Sequence, residues 1–554
     1  MTPISGTQAL ISVLQEEGVE YIFGIPGATE VQLMDALEDH PEINYLLALH
    51  EAVSAGMAEG YSRTSGKVGF LNLHTGPGLA AATPLLSNAF YGGVPLVITA
   101  GQQDTRLLAQ EPALSDNLVR IAGPFTKWAT EILHASDVPL VMRRAFKVAA
   151  HPPAGPVFVS LPQDVLTGTA DYEYVKGAPS FSKLRPDPGS IRVAADLLRK
   201  ATNPVMIVED GVTKNNALRE VIELAQLIGA RVYQPWMADV NFPTQHPLYA
   251  GDININDIKT RELLSTVDVL VVIGAAFFAQ AVCLPLPLVP PCTKIIQIDN
   301  NPWQIAKNFP VVSGIEGDIR VSTGELIGAL KKSSSPEAKA NAKTRAGLIS
   351  RETRKMRQAL AEKAQKEKNN CPIAVTRLMA EIRDALLPGT LIVDDCWSCS
   401  AVLRQTLDLK EPLSYQRSRG GGSIGYGLPG ALGVKLAAPD RPVLGVVGDG
   451  SAMWSIQSLW TAARYNIPVT YVICANSIYR QVRRMKHIIM GQKTRAKYLG
   501  TDLSHPRNDF TRLAEGMGVS AQRVDKPQQL SEALTSGLAS NKPNLIEVIL
   551  ESTL

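Results

Sequence analysis

Short apolar runs recur along this chain, each followed by a longer stretch with apolar residues at three- and four-residue spacing. Residues 21–26, 44–50, 68–74 and 95–100 are such runs, and each reads as a buried strand. The stretches between them read as helices: one from about Glu30, one over 51–62, and one following the turn Thr75-Gly76-Pro77-Gly78. Strand–helix alternation with short connections predicts a parallel sheet covered on both faces. The pattern returns at 204–208, 267–273 and 293–299, and again at 441–450 and 469–475. The expected fold is therefore α/β, with three doubly wound parallel-sheet domains over 1–180, 190–332 and 371–554. Between them, 172–190 is rich in Pro, Gly and charge and reads as a linker. Residues 331–370 are poor in large apolar side chains and read as a linker with an exposed helix.

Composition narrows this picture. A chain of 554 residues is too long for one core, and roughly three domains of 150–200 residues are expected. A net charge of +3 gives no support for nucleic-acid binding over the whole surface. No apolar run of about 18 residues exists, so no membrane span is expected. The start, Met1-Thr2-Pro3-Ile4, carries no basic and apolar leader. Cys396 and Cys399 form one C-x-x-C with no second pair or nearby histidine to complete a zinc site. Reduced cysteines and a cytoplasmic location are the expectation.

The candidate chemistry begins at Gly448-Asp449-Gly450, which closes one apolar run and opens a helical pattern at Ser451. The next run delivers Asn476 to the same edge of a sheet. An acid and an amide oxygen at the ends of two parallel strands suit a hard divalent cation, and the cation in turn suits a diphosphate. The amides of Gly450 and Ser451 are donors for phosphate. Read from spacing alone, the same residues also make an ordinary strand–turn–helix corner, since Asp before Gly is a common turn pair.

Further motifs sit at similar places: residues 24–27 (Gly-Ile-Pro-Gly), His50-Glu51 leading a helix, residues 74–78 (His-Thr-Gly-Pro-Gly), and the glycine-rich run 419–429. With the 448–476 motif, they make the chain resemble the thiamine-diphosphate-dependent 2-oxo acid decarboxylases and acetohydroxyacid synthases over nearly its whole length. Residues 99–103, 459–463 and 465–468 read like the benzoylformate decarboxylase subgroup. The resemblance implies a pyrimidine-binding, a central and a diphosphate-binding domain, in that order. It implies thiamine diphosphate and Mg2+, with the ion held by Asp449, Asn476 and the carbonyl of Ile478. Where the family has Asn-Asn, this chain has Ala475-Asn476, so the ligand is kept. Backbone groups near Trp397 and Ser398 are implied to meet the diphosphate. Ile424 is implied to wedge the cofactor into a bent form, with the Gly422 carbonyl accepting from its aminopyrimidine. Glu51 is implied to lie against the pyrimidine ring and His74 to handle protons on the substrate. Left to its own spacing, Glu51 also reads as a helix N-terminal acid favoured by the dipole, and His74 as a strand-end histidine bonded to backbone. The resemblance also implies a homodimer or homotetramer with shared active sites, and a small carbonyl substrate in place of nucleic acid or membrane.

Three features depart from that subgroup. Pro26-Gly27-Ala28 lacks the serine that contacts a substrate carboxylate there. Residues 274–281 lack the histidine that the central domain supplies. Between Tyr479 and Tyr498 lie Arg480, Arg483, Arg484, Lys486, Lys493, Arg495 and Lys497 with no acid. Such a segment suits a highly anionic substrate such as a coenzyme A thioester, a solvated face, or an interface with acids of another subunit. The leading expectation is decarboxylation of a benzoylformate-like 2-oxo acid to an aldehyde, with carboligation to 2-hydroxy ketones. The alternatives are a 2-hydroxyacyl-CoA lyase, an acetolactate synthase-like carboligase, or a catalytically silent paralogue with an assembly role. The silent paralogue fits poorly with retention of Glu51, Asp449 and Asn476.

Overall fold

The computed structural model describes residues 3–171, 183–276, 283–284, 286–417, 420–491 and 497–552. The predicted class holds: there are three six-stranded sheets, every strand pair within them is parallel, and each sheet belongs to its own domain.

Sheet 1 contains β1 (Tyr21–Gly24), β2 (Asn44–Leu47), β3 (Gly69–Leu73), β4 (Leu96–Gln102), β5 (Trp128–Glu131) and β6 (Val157–Pro162), in the order β2-β1-β3-β4-β6-β5. Helix α1 (Glu51–Ser65) follows β2, and α2 (Thr75–Gly92) follows β3. The sequence reading placed the Thr75–Gly78 turn ahead of a helix. The structure makes it the first helical turn, entered through Thr75 at φ +50°. Proline fits there because a first-turn residue needs no intrahelical amide.

The central sheet runs β7 (Pro204–Val208), β8 (Arg231–Pro235), β9 (Tyr249–Ile253), β10 (Val269–Ile273), β11 (Lys294–Asp299) and β12 (Ser313–Glu316), in the order β9-β8-β7-β10-β11-β12. The expected linker over 331–370 is mostly one helix, α3 (Pro336–Lys366), capped by Ser335 and largely exposed. Residues 172–182 of the other linker lie outside the described residues.

Sheet 3 contains β13 (Leu391–Asp395), β14 (Tyr415–Arg417), β15 (Val443–Gly448), β16 (Thr470–Ala475), β17 (Ser520–Val524) and β18 (Asn544–Ile549). Its order, β14-β13-β15-β16-β18-β17, repeats that of sheet 1 strand for strand. Helix α4 (Gly427–Ala437) follows β14 as α1 follows β2, and α5 (Arg480–Met490) lies beyond β16.

Helices α1 and α4 pack together almost backbone to backbone. A Cβ on Gly60 would overlap the Gly430 carbonyl, and one on Gly433 would overlap the Met57 carbonyl. Glycine is thus required by proximity rather than by dihedral angle. The apolar core on this side is continuous, taking Met57, Leu73 and Leu85 from the first domain and Leu428, Leu432 and Val447 from the third. The central domain has cores of its own. It meets the other two at Asp239, whose carboxylate takes the Arg63 guanidinium and, at 3.0 Å, the Arg417 amide.

Candidate active site

The candidate residues gather at two C-terminal sheet edges. In an open parallel sheet, ligands enter where neighbouring connections leave to opposite faces, here between the first and third strands of sheets 1 and 3.

At the sheet 3 edge, β13 ends in two buried acids, Asp394 and Asp395. Asp395 Oδ2 accepts the amides of Gly425 (2.9 Å) and Gly427 (3.1 Å), while Oδ1 accepts the indole N–H of Trp397 (3.1 Å). One carboxylate thus ties the loop after β13 to the backbone around Ile424. Burial pushes Asp395 up to about 6, and the amide donors offset only part of that. Asp449 follows β15, with Oδ1 accepting Gly450 N at 2.8 Å and Oδ2 accepting Ser477 N at 2.6 Å. Burial pushes this acid up to about 6 as well. The Gly450 amide, expected as a phosphate donor, is engaged by Asp449. The helix it opens is one turn, Asp449–Ala452, and buries Ser451.

Asn476 follows β16. Its Oδ1 accepts Ile478 N at 3.0 Å, and its Nδ2 donates to Ser398 Oγ at 3.3 Å. Ser477 between them adopts φ +56°, the kink that turns its amide to Asp449. The Ile478 carbonyl accepts Arg480 N at 2.9 Å and keeps a second lone pair. These donors fit a hard divalent cation. Asp449 is a buried carboxylate whose partners are backbone amides with no cation beside it among the described residues, and amide and carbonyl oxygens stand next to it. Ser398 and Trp397 adjoin the same point, as a diphosphate would require.

Beneath this edge the C-x-x-C pair has a third neighbour. Cys396 and Cys399 are joined by Cys474 of β16, and the three buried Sγ atoms lie within 4.8 Å of one another. They pack in the apolar core under sheet 3.

Gly422 sits exposed at φ +71°, in the loop between β14 and α4. Asn88 of α2 holds this loop twice, accepting Ser423 N at 3.1 Å and donating to Ser423 O at 2.9 Å. Ile424 lines a cleft of about 280 Å³ with His50, Ala52, Pro84, Leu85 and Trp454. Arg419 lies outside the described residues.

At the sheet 1 edge, His50 caps α1, its Nδ1 accepting Ala52 N at 3.1 Å. Glu51 is the first helical residue, half-buried, with its carboxylate against Gly78. His74 leaves β3 with its ring over Gly27, where a Cβ would overlap it. Its Nδ1 lies 2.9 Å from Glu30 Oε2 and 3.2 Å from Thr29 Oγ1. Glu30 also accepts Gly27 N and Gly101 N, each at 2.9 Å, and the Thr29 hydroxyl at 2.8 Å. Its side chain is 2% exposed against 24% for His74. A carboxylate oxygen accepts, so Nδ1 is the donor and Nε2 is the ring atom left for a ligand. Ala28 opens the short turn beside this pair and brings no hydroxyl. Residues 277–281, within the stretch that lacks the second histidine, lie outside the described residues, as do Lys493 and Arg495.

The remaining basic segment is partly consumed by its own surroundings. Arg480 donates to the Glu551 carbonyl, and Arg483 donates to Thr501 Oγ1 at 2.9 Å. Arg483 and Lys486 also lie over the Tyr498 ring, at 4.9 and 4.8 Å from its centre.

Comparison with known proteins agrees with this architecture. The thiamine pyrophosphate enzyme N-terminal binding domain matches residues 4–120, the central domain 191–326 and the C-terminal binding domain 397–548. The chain belongs to the thiamine pyrophosphate enzymes, of the decarboxylase and acetolactate synthase type. It is 30% identical to a benzoylformate decarboxylase of Pseudomonas aeruginosa, over 98% of each chain. It is 29% identical to a probable acetolactate synthase large subunit of Methanocaldococcus jannaschii, over 99% of this chain and 92% of that one. Among solved structures, it superposes with a TM-score of 0.84 on the thiamine diphosphate-dependent 4-hydroxybenzoylformate decarboxylase of Rhodococcus jostii RHA1. That match has 28% identity and covers 99% and 100% of the two chains.

Sequence reasoning missed Glu30, Asp395 and Asn88. Asp395 had a visible signal, since an apolar run ending in two acids marks a strand end. Glu30 and Asn88 had none, because the partners that give them a role, His74 and Gly101 for Glu30 and Ser423 for Asn88, lie tens or hundreds of residues away.

Proposed function

We propose that the protein, with thiamine diphosphate and Mg2+, decarboxylates a small benzoylformate-like 2-oxo acid to an aldehyde, and joins aldehydes into 2-hydroxy ketones as a side reaction. The observation that carries this reading is the Glu30–His74 pair, which leaves Nε2 as the ring nitrogen able to take up and return a proton at the sheet 1 edge. The kinship with benzoylformate and 4-hydroxybenzoylformate decarboxylases supports it. When bound, the cofactor supplies the electron sink for the carbon next to the carbonyl. The protein's own groups do the rest. Asp449, Asn476 and the Ile478 carbonyl would hold the ion, with Ser398, Trp397 and Ser451 at the diphosphate. Glu51 would meet the pyrimidine, with Gly422 and Ile424 beside it. His74 delivers and removes the substrate proton through Nε2. A second subunit completes each site in a homodimer or homotetramer.

Ala28 leaves the substrate carboxylate with fewer partners than in the benzoylformate decarboxylase subgroup, which favours the side reaction. Arg480, Arg483 and Lys486 are held by the Glu551 carbonyl, Thr501 and the Tyr498 ring, so these three cations are less free to turn toward a coenzyme A thioester. Incubation with benzoylformate, pyruvate and a 2-hydroxyacyl-CoA, with both cofactors added, tests the reading. Carbon dioxide from benzoylformate is the expected result. Turnover of the thioester alone would replace the proposed substrate class, and acetolactate from pyruvate alone would favour the synthase-like alternative.

A further inference from the structure

Arg417, the last residue of β14, is 1% exposed, yet its Nε and Nη2 have no hydrogen-bond partner among the described residues. Its guanidinium lies 5.0 Å from the ring centre of Trp236 and 5.1 Å from that of Trp397. The two indoles are themselves edge to face at 5.4 Å, and Nη1 donates to the Trp236 carbonyl at 3.0 Å. Trp236 follows β8 of the central sheet and Trp397 follows β13, so the stack crosses a domain boundary. A cation over indole faces is attracted by the ring quadrupole, and the attraction grows when water is excluded. Guanidinium is the group for this place because it is flat and weakly hydrated.

The stack leads on to the site. The Trp397 indole donates to Asp395, and Asp395 holds the amides on either side of Tyr426, next to Ile424. The backbone of Arg417 is pinned too, its amide to Asp239 and its carbonyl to Arg63. The guanidinium thus rises from a fixed base between two rings, one of which belongs to the loop assigned to the diphosphate.

We propose that Arg417 is a positioning residue for the cofactor. Clamped against Trp236 of the central domain, it sets Trp397 and, through Asp395, the loop that carries Gly422 and Ile424. The central domain thereby governs how tightly the diphosphate is held. This inference rests on the reading of Trp397 and Ser398 as the diphosphate loop.

The test measures the dissociation constant of thiamine diphosphate, at saturating Mg2+, from quenching of tryptophan fluorescence in the full-length apoprotein. Melting of the same apoproteins is followed alongside. Arg417→Met is expected to weaken binding at least tenfold and to reduce the fraction of fluorescence that the cofactor quenches. Arg417→Lys, which keeps charge but not the flat stack, is expected to recover only part of the affinity. A dissociation constant for Arg417→Met within twofold of the parent, with only a lower melting temperature, would overturn the inference and leave Arg417 a packing residue. If that variant does not fold, Trp236→Leu decides by the same criterion, since it strips one face of the stack and leaves the guanidinium. Ser398→Ala separates the two layers of argument. Weaker binding there with no change in Arg417→Met rejects the clamp alone, whereas no change in either rejects the loop assignment and the clamp together.

Discussion

Sheets 1 and 3 have the same strand order and place their polar residues at the same edge, yet the two edges are built for opposite tasks. At sheet 3, the acids Asp395 and Asp449 are buried against backbone amides, and burial pushes both up to about 6. At sheet 1, the buried acid Glu30 faces a histidine, and the ring rather than the acid reaches outward. A carboxylate met by N–H donors alone is left without a neutralising side chain. A carboxylate behind an imidazole fixes which nitrogen works. The strand order locates both crevices, but it does not distinguish them. The first two or three residues after each strand do.

This contrast can be broken by substitution, and the largest effect belongs to Glu51. If the sheet 1 edge supplies the pyrimidine contact, Glu51→Gln slows deuterium exchange at C2 of the bound cofactor by about 10²–10⁴-fold. Unchanged exchange would remove Glu51 from the site. The next effect separates the working ring from its support. His74→Ala lowers kcat by about 100-fold, while Glu30→Gln, which keeps the ring but weakens its anchor, lowers it about tenfold with KM within twofold. Equal losses in both would mean that Glu30 acts on substrate directly. A smaller effect probes the join between the sheets. Gly60→Ala drives a methyl into the Gly430 carbonyl and costs about 1–3 kcal/mol, read by thermal melting.

The smallest effect serves as a control in the central domain, where a strand also ends in a buried acid. Burial pushes Asp299 up to about 6 from an ordinary 3.8. The folded form therefore holds a proton that the unfolded chain has lost between about pH 4 and 6, and stability falls as pH rises through that window. Asp299→Asn is expected to be more stable than the parent by about 1–2 kcal/mol above pH 6, with the gain vanishing below pH 4. A variant less stable at pH 7 would show that the ionised carboxylate is used.

How much of this was legible beforehand follows from where the information resides. Strands buried on both faces, such as β3, β10 and β16, are continuous apolar runs and were readable, as were the residues that end β3, β15 and β16. Strand β14 is Tyr-Gln-Arg and was invisible as a strand, because its polar side chains are buried through partners in other domains. The half-exposed edge strands β5 and β17 had no clear pattern either. The third thiol of the cysteine group could not be foreseen, since Cys474 reaches Cys396 only once β16 is placed two strands from β13. Proximity across strands is a property of sheet order, and sequence spacing does not carry it.

The glycine contact between α1 and α4 bears on how the chain is made. Gly60 leaves the ribosome about 370 positions before Gly430. At about 5–20 residues per second, the small-residue face of α1 waits some 20–70 s for its cover. The central domain, with a core of its own, is free to fold in the interval. The nascent N-terminal third is therefore the stretch in which a holding chaperone has most to protect.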